Sequence, residues 1–251
     1  KKLDEKKNIA VEEVRKVSIF LSKTSIRGNY RAVLIDALTD LNTFGYNALL
    51  KILEEHSLHT SFFIIDHMVA NIPNTIKSRC KNFFFKKLGD DEIKKLLKRS
   101  DIKKEFYDSY SILSNGSIGN IYNLHQNNAL EIHKIYCEYI LGVDNIKKNN
   151  LNSIYKLLQN KKKNNNIFTI SFLILFRLLR NTLRNINNLN VVYLNNLEEK
   201  VINKLSENLN HDQITYLLNI LYERKKNMIN LNLDIYTSIY LTLSDIEKTM
   251  R

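Results

Sequence analysis

Three short apolar runs stand in the first third of the chain, and nothing like them follows: Ala32-Val33-Leu34-Ile35, Phe62-Phe63-Ile64-Ile65 and Asn82-Phe83-Phe84-Phe85. Runs of this length, closed by polar residues such as Asp36, fit strands buried on both faces of a parallel sheet. The segments between them carry the helical period instead. Val14, Val17, Ile19, Phe20 and Leu21 follow the acidic opening Val11-Glu12-Glu13. Asn42 is placed to cap a helix whose Ala48, Leu49, Leu50 and Leu53 share one face. Strand alternating with helix at this spacing predicts an α/β sheet. Three strands are few for such a sheet, so the chain is expected to begin inside a domain.

After Leu88 the pattern becomes helical. Asp90-Asp91-Glu92 opens a helix at the end that favours acids, and two further helical segments run to about Leu141. Gly116, Ser117 and Gly119 mark the turn between the second and third of these helices. From about Asn150 onward everything reads as helix. One stripe holds Leu173, Phe176, Leu179 and Leu183, the next Ile214, Leu217, Leu218 and Leu221. The last holds Ile235, Ile239, Leu243 and Ile246, capped by Asn232 or Asp234, and Asn160 to Asn166 reads as an exposed loop. The chain has one proline and six glycines, too few for a turn-rich β protein. The predicted domains are therefore 1–88 (a partial sheet domain), 89–148 (three helices) and 149–251 (a helical bundle).

Composition excludes several classes. Ile167 to Phe176 is about half the length of a membrane span, so it is expected to be a buried helix. Cys80 and Cys137 lie far apart, in no metal-binding spacing, and fit a reducing cytoplasm. No secretory signal opens the sequence, and a cytoplasmic location without a membrane partner is expected. The net charge of +12 suits an acidic partner or nucleic acid, or else a solvated basic surface.

Three motifs carry a resemblance: Tyr30-Arg31-Ala32-Val33-Leu34-Ile35-Asp36, Asn47-Ala48-Leu49-Leu50-Lys51-Ile52-Leu53-Glu54-Glu55, and Thr75-Ile76-Lys77-Ser78-Arg79-Cys80. In this order they resemble the Walker B strand, the NALLKxLEE helix and the SRC motif of the AAA+ clamp-loader family of bacterial DNA polymerase III. The resemblance is sharp over roughly residues 9–88 and rests on layout alone thereafter. It implies an AAA+ (RecA-like) core, a small helical lid and an oligomerising helical collar.

The departures indicate a delta-prime type of subunit. Relatives that hydrolyse ATP end the Walker B strand in Asp-Glu, where this chain has Asp36-Ala37. That Glu activates the attacking water, which Ala37 cannot do. Asp66 stands where hydrolysing relatives carry a sensor Thr, and Gly119 follows Gly116-Ser117-Ile118 where they carry Arg. The sequence contains no G-x-x-x-x-G-K-[ST] phosphate loop. Ser78-Arg79-Cys80 remains intact, and the resemblance implies that Arg79 reaches a neighbouring subunit's γ-phosphate as an arginine finger. A planar, permanently charged fork suits that role. The in-chain alternative is that Arg79 caps a helix or pairs with an acid of its own chain.

Other candidates read more plainly. Asp36 fits a hydrogen bond at a strand end better than a metal site. His56, His59 and His67 share no ligand spacing. Cys80 reads as a small buried residue and Phe83-Phe84-Phe85 as core. Lys86, Lys87, Lys94, Lys95, Lys98 and Arg99 form a basic cluster suited to phosphate backbones or to a solvated helix face.

These readings converge on a non-hydrolysing subunit within the DNA polymerase III holoenzyme. The expected partners are the ATP-hydrolysing subunits, a delta-type clamp-opening subunit, the sliding clamp and, weakly, primer–template DNA. No cofactor is expected on these residues; ATP with Mg belongs to the neighbouring subunit. The family's zinc-binding cysteines would fall upstream of Lys1. The alternatives are an active AAA+ ATPase whose phosphate loop lies upstream, or a purely structural helical adaptor.

Overall fold

The computed structural model describes residues 9–23, 30–55, 59–67, 72–142, 165–231 and 234–250. They belong to two compact units, Lys1–Phe85 and Lys86–Arg251. The first unit runs α1 (Val11–Ser22), β1 (Arg31–Asp36), α2 (Thr43–Glu55), β2 (Thr60–Ile65) and the short α3 (Asn74–Lys77). β1 and β2 pair in parallel, with Arg31 opposite Thr60 and Asp36 opposite Ile65. As the sequence predicts, Asn42 caps α2: its Oδ1 accepts from the Gly45 N–H at 2.8 Å. His56 lies outside the described residues.

The core of this unit gathers Val14, Val33, Ile35, Leu49, Ile52, Leu53 and Ile76. The strand period of two sends Val33 and Ile35 inward and Leu34 outward. Leu34, Phe63 and Ile65 are exposed, so the sheet is covered on one face rather than the expected two. The third expected strand is also absent: residues 81–89 form no regular element and join no ladder among the described residues. Phe83, Phe84 and Phe85 are 72%, 74% and 97% exposed, which corrects their reading as core. An apolar run becomes a strand only when a neighbour accepts its backbone hydrogen bonds, and β1 and β2 bond each other instead.

The second unit is helical: α4 (Asp90–Leu97), α5 (Tyr107–Ser114), α6 (Ile118–Gln126), α7 (Ala129–Leu141), α8 (Asn165–Ile186), α9 (Asn196–Asn208), α10 (His211–Leu231) and α11 (Ile235–Thr249). Its caps follow the sequence signals. Glu92 accepts from the Gly89 N–H, Ser117 Oγ from the Asn120 N–H, and Asp234 from the Thr237 N–H. Asn232, the other cap candidate, lies outside the described residues.

Four helices, not three, fill the stretch up to Leu141. Asn128 takes a left-handed conformation, φ 54°, and separates α6 from α7. Asn115 and Asn188 do the same at the ends of α5 and α8, both with φ 53°. Gly116 follows Asn115 at φ 82°. Asn165 and Asn166, expected in a loop, open α8 instead, and 160–164 lie outside the described residues.

On α8 the buried face is carried by Ser171, Ile174, Leu175, Leu178 and Thr182, while Leu173 is 40% exposed, a correction to the expected stripe. Leu179 lies inside as predicted. The stripes of α10 and α11 hold as read, with Ile214, Leu221, Ile239 and Leu243 fully buried. Helix α8 is long and apolar enough to cross a membrane, but 61% of that stretch is buried against protein. It packs on α7, α9, α10 and α11, as a core helix does.

One continuous core runs from Ile93 in α4 to Ile246 in α11. The boundary expected at 148/149 falls among residues outside the description, and a cut there would sever α7 from α8 and α9.

Within that core sits a buried polar cluster. Glu198 of α9 accepts from Arg177 Nε at 2.7 Å and from Nη2 at 3.3 Å, and also accepts the Leu194 N–H. His133 Nε2 lies 4.0 Å from the same carboxylate, and Cys137 Sγ lies 3.5 Å from that ring nitrogen. Burial holds His133 below the usual histidine range; Glu198 pulls it up and Arg177 pushes it down again. Cys137 stays a thiol, because burial and the charges of Glu198 and Glu138 raise its pKa.

His133 gives this unit an acid sensitivity. Its folded pKa is depressed, so below the unfolded value of about 6.5 the unfolded chain binds more protons than the native state. Stability is therefore full above that value and falls as the pH drops through and beneath it. Urea titrations between about pH 7.5 and 5 should show this loss, and His133→Gln should flatten it.

Candidate functional site

Arg79 sits just past the end of α3. The helix is anchored by Ile76, 2% exposed in the core of the first unit, and begins after Pro73, whose carbonyl accepts from the Ile76 and Lys77 N–H groups. The chain then tightens, with the Arg79 N–H bonding the Ile76 carbonyl at 3.0 Å. Arg79 Nη1 returns to the Thr75 carbonyl at 2.9 Å, satisfying one of the open acceptors of the helix end. The same nitrogen lies 3.4 Å from Ser78 Oγ, which itself donates to the Thr75 carbonyl at 3.1 Å.

The third contact is with an acid whose identity the sequence does not single out. Arg79 Nη2 donates to Glu54 Oε1 of α2 at 2.5 Å, and both side chains remain well exposed, 39% and 50%. The in-chain alternative for Arg79, a helix-end contact and a partner acid, is thus the arrangement seen. Glu54 lies within the quoted motif ending Leu53-Glu54-Glu55; a helix-terminal acid there was the available signal. Cys80 is half-buried against the same core, and burial raises its thiol pKa, so it is a protonated packing residue.

The carboxyl end of the sheet holds the other motif residues. Asp36 is exposed, with His67 Nε2 at 3.8 Å from its Oδ1. Ala37 is buried, 4% exposed, and its N–H faces Asp40 Oδ2 at 3.4 Å. Asp66 lies near Tyr46, whose hydroxyl pKa is raised by burial first and by the Asp66 charge second. His59 rests edge-on against Tyr30. Among the described residues no three His, Cys, Asp or Glu side chains converge as a metal centre requires.

The basic cluster divides. Lys87 Nζ donates to Asn115 Oδ1 at 2.7 Å, and Lys94 pairs with Asp108 at 2.6 Å, a contact that raises its pKa. Lys86, Lys95, Lys98 and Arg99 are exposed. Lys95, Lys98 and Arg99 stand three and four apart along α4 and its end, so they share one side.

Comparison with known proteins finds similar sequences among DNA polymerase III subunits. Residues 3–89 match the protein family described as "DNA polymerase III, delta subunit". DNA polymerase III subunit gamma of Buchnera aphidicola subsp. Schizaphis graminum is 30% identical over 172 residues, covering 64% of this chain and 47% of that one. DNA polymerase III subunit delta' of Pseudomonas aeruginosa is 39% identical over 74 residues, 30% of this chain and 23% of that one. A crystal structure of a gamma subunit-related protein of Thermotoga maritima aligns with 99% of this chain and 82% of its own, at 16% identity and a TM-score of 0.49.

Over these matched segments the chain is similar to subunits of DNA polymerase III. Relatives called gamma and delta' both match, so the kind of subunit rests on the residues themselves. The chain spans about half the length of the gamma relative it matches.

Proposed function

We propose that this chain is a non-hydrolysing, delta-prime-type subunit of a sliding-clamp loader, which lends Arg79 to the ATP site of a neighbour. The single observation that carries this reading is a contrast within one unit. The strand that should end in a water-activating Glu ends in Asp36 and the buried methyl of Ala37, while the guanidinium of Arg79 stands at the surface. A carboxylate that polarises water cannot be replaced by a methyl group, whereas an exposed arginine can serve a site outside its own chain. ATP and Mg would then be held next door, with the helices from α8 onward joining the ring as a collar. The partners would be ATP-hydrolysing subunits, a delta-type subunit and the clamp, in the cytoplasm. Lys86, Lys95, Lys98 and Arg99 would meet primer–template phosphates through charge.

The test is direct. Purified at its full natural length, the protein should release no phosphate from ATP by itself. Turnover that disappears on Asp36→Ala would sink the proposal and favour an active ATPase. The Glu54–Arg79 pair favours one rival, a passive adaptor in which the arginine serves only its own chain.

A further inference from the structure

We infer that Glu54 is a positioning residue for Arg79: it mounts the guanidinium so that an incoming phosphate finds the remaining donors already aimed. The inference rests on the arginine-finger reading and adds a residue to it.

An arginine carries five N–H donors. In this chain Nη1 is occupied by the Thr75 carbonyl and Ser78 Oγ, and Nη2 by Glu54. Among the described residues Nε makes no hydrogen bond, so Nε–H and one Nη2–H are available. Two donors on one planar group can meet two oxygens of a phosphate at once. A long side chain held only at Nη1 could pivot about that bond. Glu54 stops the pivot from a second element: Thr75 belongs to α3, and Glu54 lies at the end of α2.

Magnitudes favour a mount over a lock. An ion pair this exposed contributes about 0–1 kcal/mol in water, because solvent and salt screen it. Such a pair restrains the geometry without competing strongly against a multiply charged phosphate in a closed interface. Removing it leaves the arginine charged but held only at Nη1 and able to pivot there, and loss of alignment at a reacting centre lowers rate more than binding.

The experiment is a double-mutant cycle in the reconstituted complex, following DNA- and clamp-stimulated ATP hydrolysis. Glu54→Ala should cut kcat roughly tenfold with little change in KM or in complex formation. In an Arg79→Ala background the same substitution should change nothing further, an outcome that a merely structural role for Glu54 would not give. Glu54→Gln keeps an acceptor at the same reach and should stay within about twofold of the parent. Glu54→Asp is one methylene short and should behave like the alanine variant.

The proposal is overturned if Glu54→Ala keeps the normal kcat or raises it, or if its effect persists without Arg79. If Arg79→Ala itself hydrolyses normally, the finger reading fails and Glu54 loses its role with it. A normal Glu54→Ala beside a disabled Arg79→Ala removes the mount alone.

Discussion

On the proposed finger reading, Arg79→Ala is expected to assemble normally and to silence the ATP site of the neighbouring subunit. An arginine supplied in trans meets charge that develops on the phosphoryl oxygens, so its loss acts on the transition state. Fingers of this kind are worth roughly 10³ to 10⁵ in turnover, and a fall near the lower bound is expected at the adjacent site. Steady-state hydrolysis by a ring with several sites would drop less, because the other sites keep their own arginines. Arg79→Lys should fail almost as badly, since an ammonium cannot offer a planar pair of donors. Lys77→Ala, at the last position of α3, is the control for nearby charge and should be mild. If clamps load at the normal rate on Arg79→Ala, the passive adaptor becomes the better account.

Glu198→Ala should be the most damaging single change in the second unit. The carboxylate is fully buried and accepts from Arg177 and from the Leu194 N–H, tying α8, α9 and the intervening loop together. Its removal strands a guanidinium that is only 10% exposed. Breaking one side of a buried ion pair costs about 3–5 kcal/mol, because the remaining charge stays desolvated. For a unit of this size that corresponds to roughly 6–20 °C in Tm, readable by calorimetry. The double substitution Arg177→Met with Glu198→Leu should cost less than Glu198→Ala alone, since no charge is left buried. Equal or greater loss in the double variant would show that the pair stabilises the unit by attraction.

The sequence made local features legible and left their surroundings open. Helix α2 was readable because Asn42 and the Leu49–Leu53 face are local signals. The break at Asn128 was not, because Asn-Asn inside an apolar pattern looks like any polar turn of a helix. The face of α8 is ambiguous in the sequence for a related reason: with apolar residues nearly all round, the period alone cannot say which side meets α7 and α9. Phe83 to Phe85 looked like a strand, but pairing depends on a partner elsewhere in space. Arg79 could be picked out from its Ser-Arg-Cys setting. Glu54, twenty-five positions earlier, could not be joined to it, because only the tertiary fold brings the two together.

The left-handed turns have a consequence at the level of the gene. Glycine codons begin with two guanines, while asparagine codons begin with two adenines. Asn115, Asn128 and Asn188 close helices in a conformation usually given to glycine. Asparagine tolerates it because its short amide bonds locally. Helix ends built this way survive a drift of coding DNA towards adenine and thymine, which fits a chain with only six glycines. At Gly116 the exchange of glycine for asparagine is not open. A Cβ there would come within 2.5 Å of Lys87 Cβ and 3.1 Å of the Leu88 carbonyl oxygen, so no side chain can be seated without moving the strap that leads into α4.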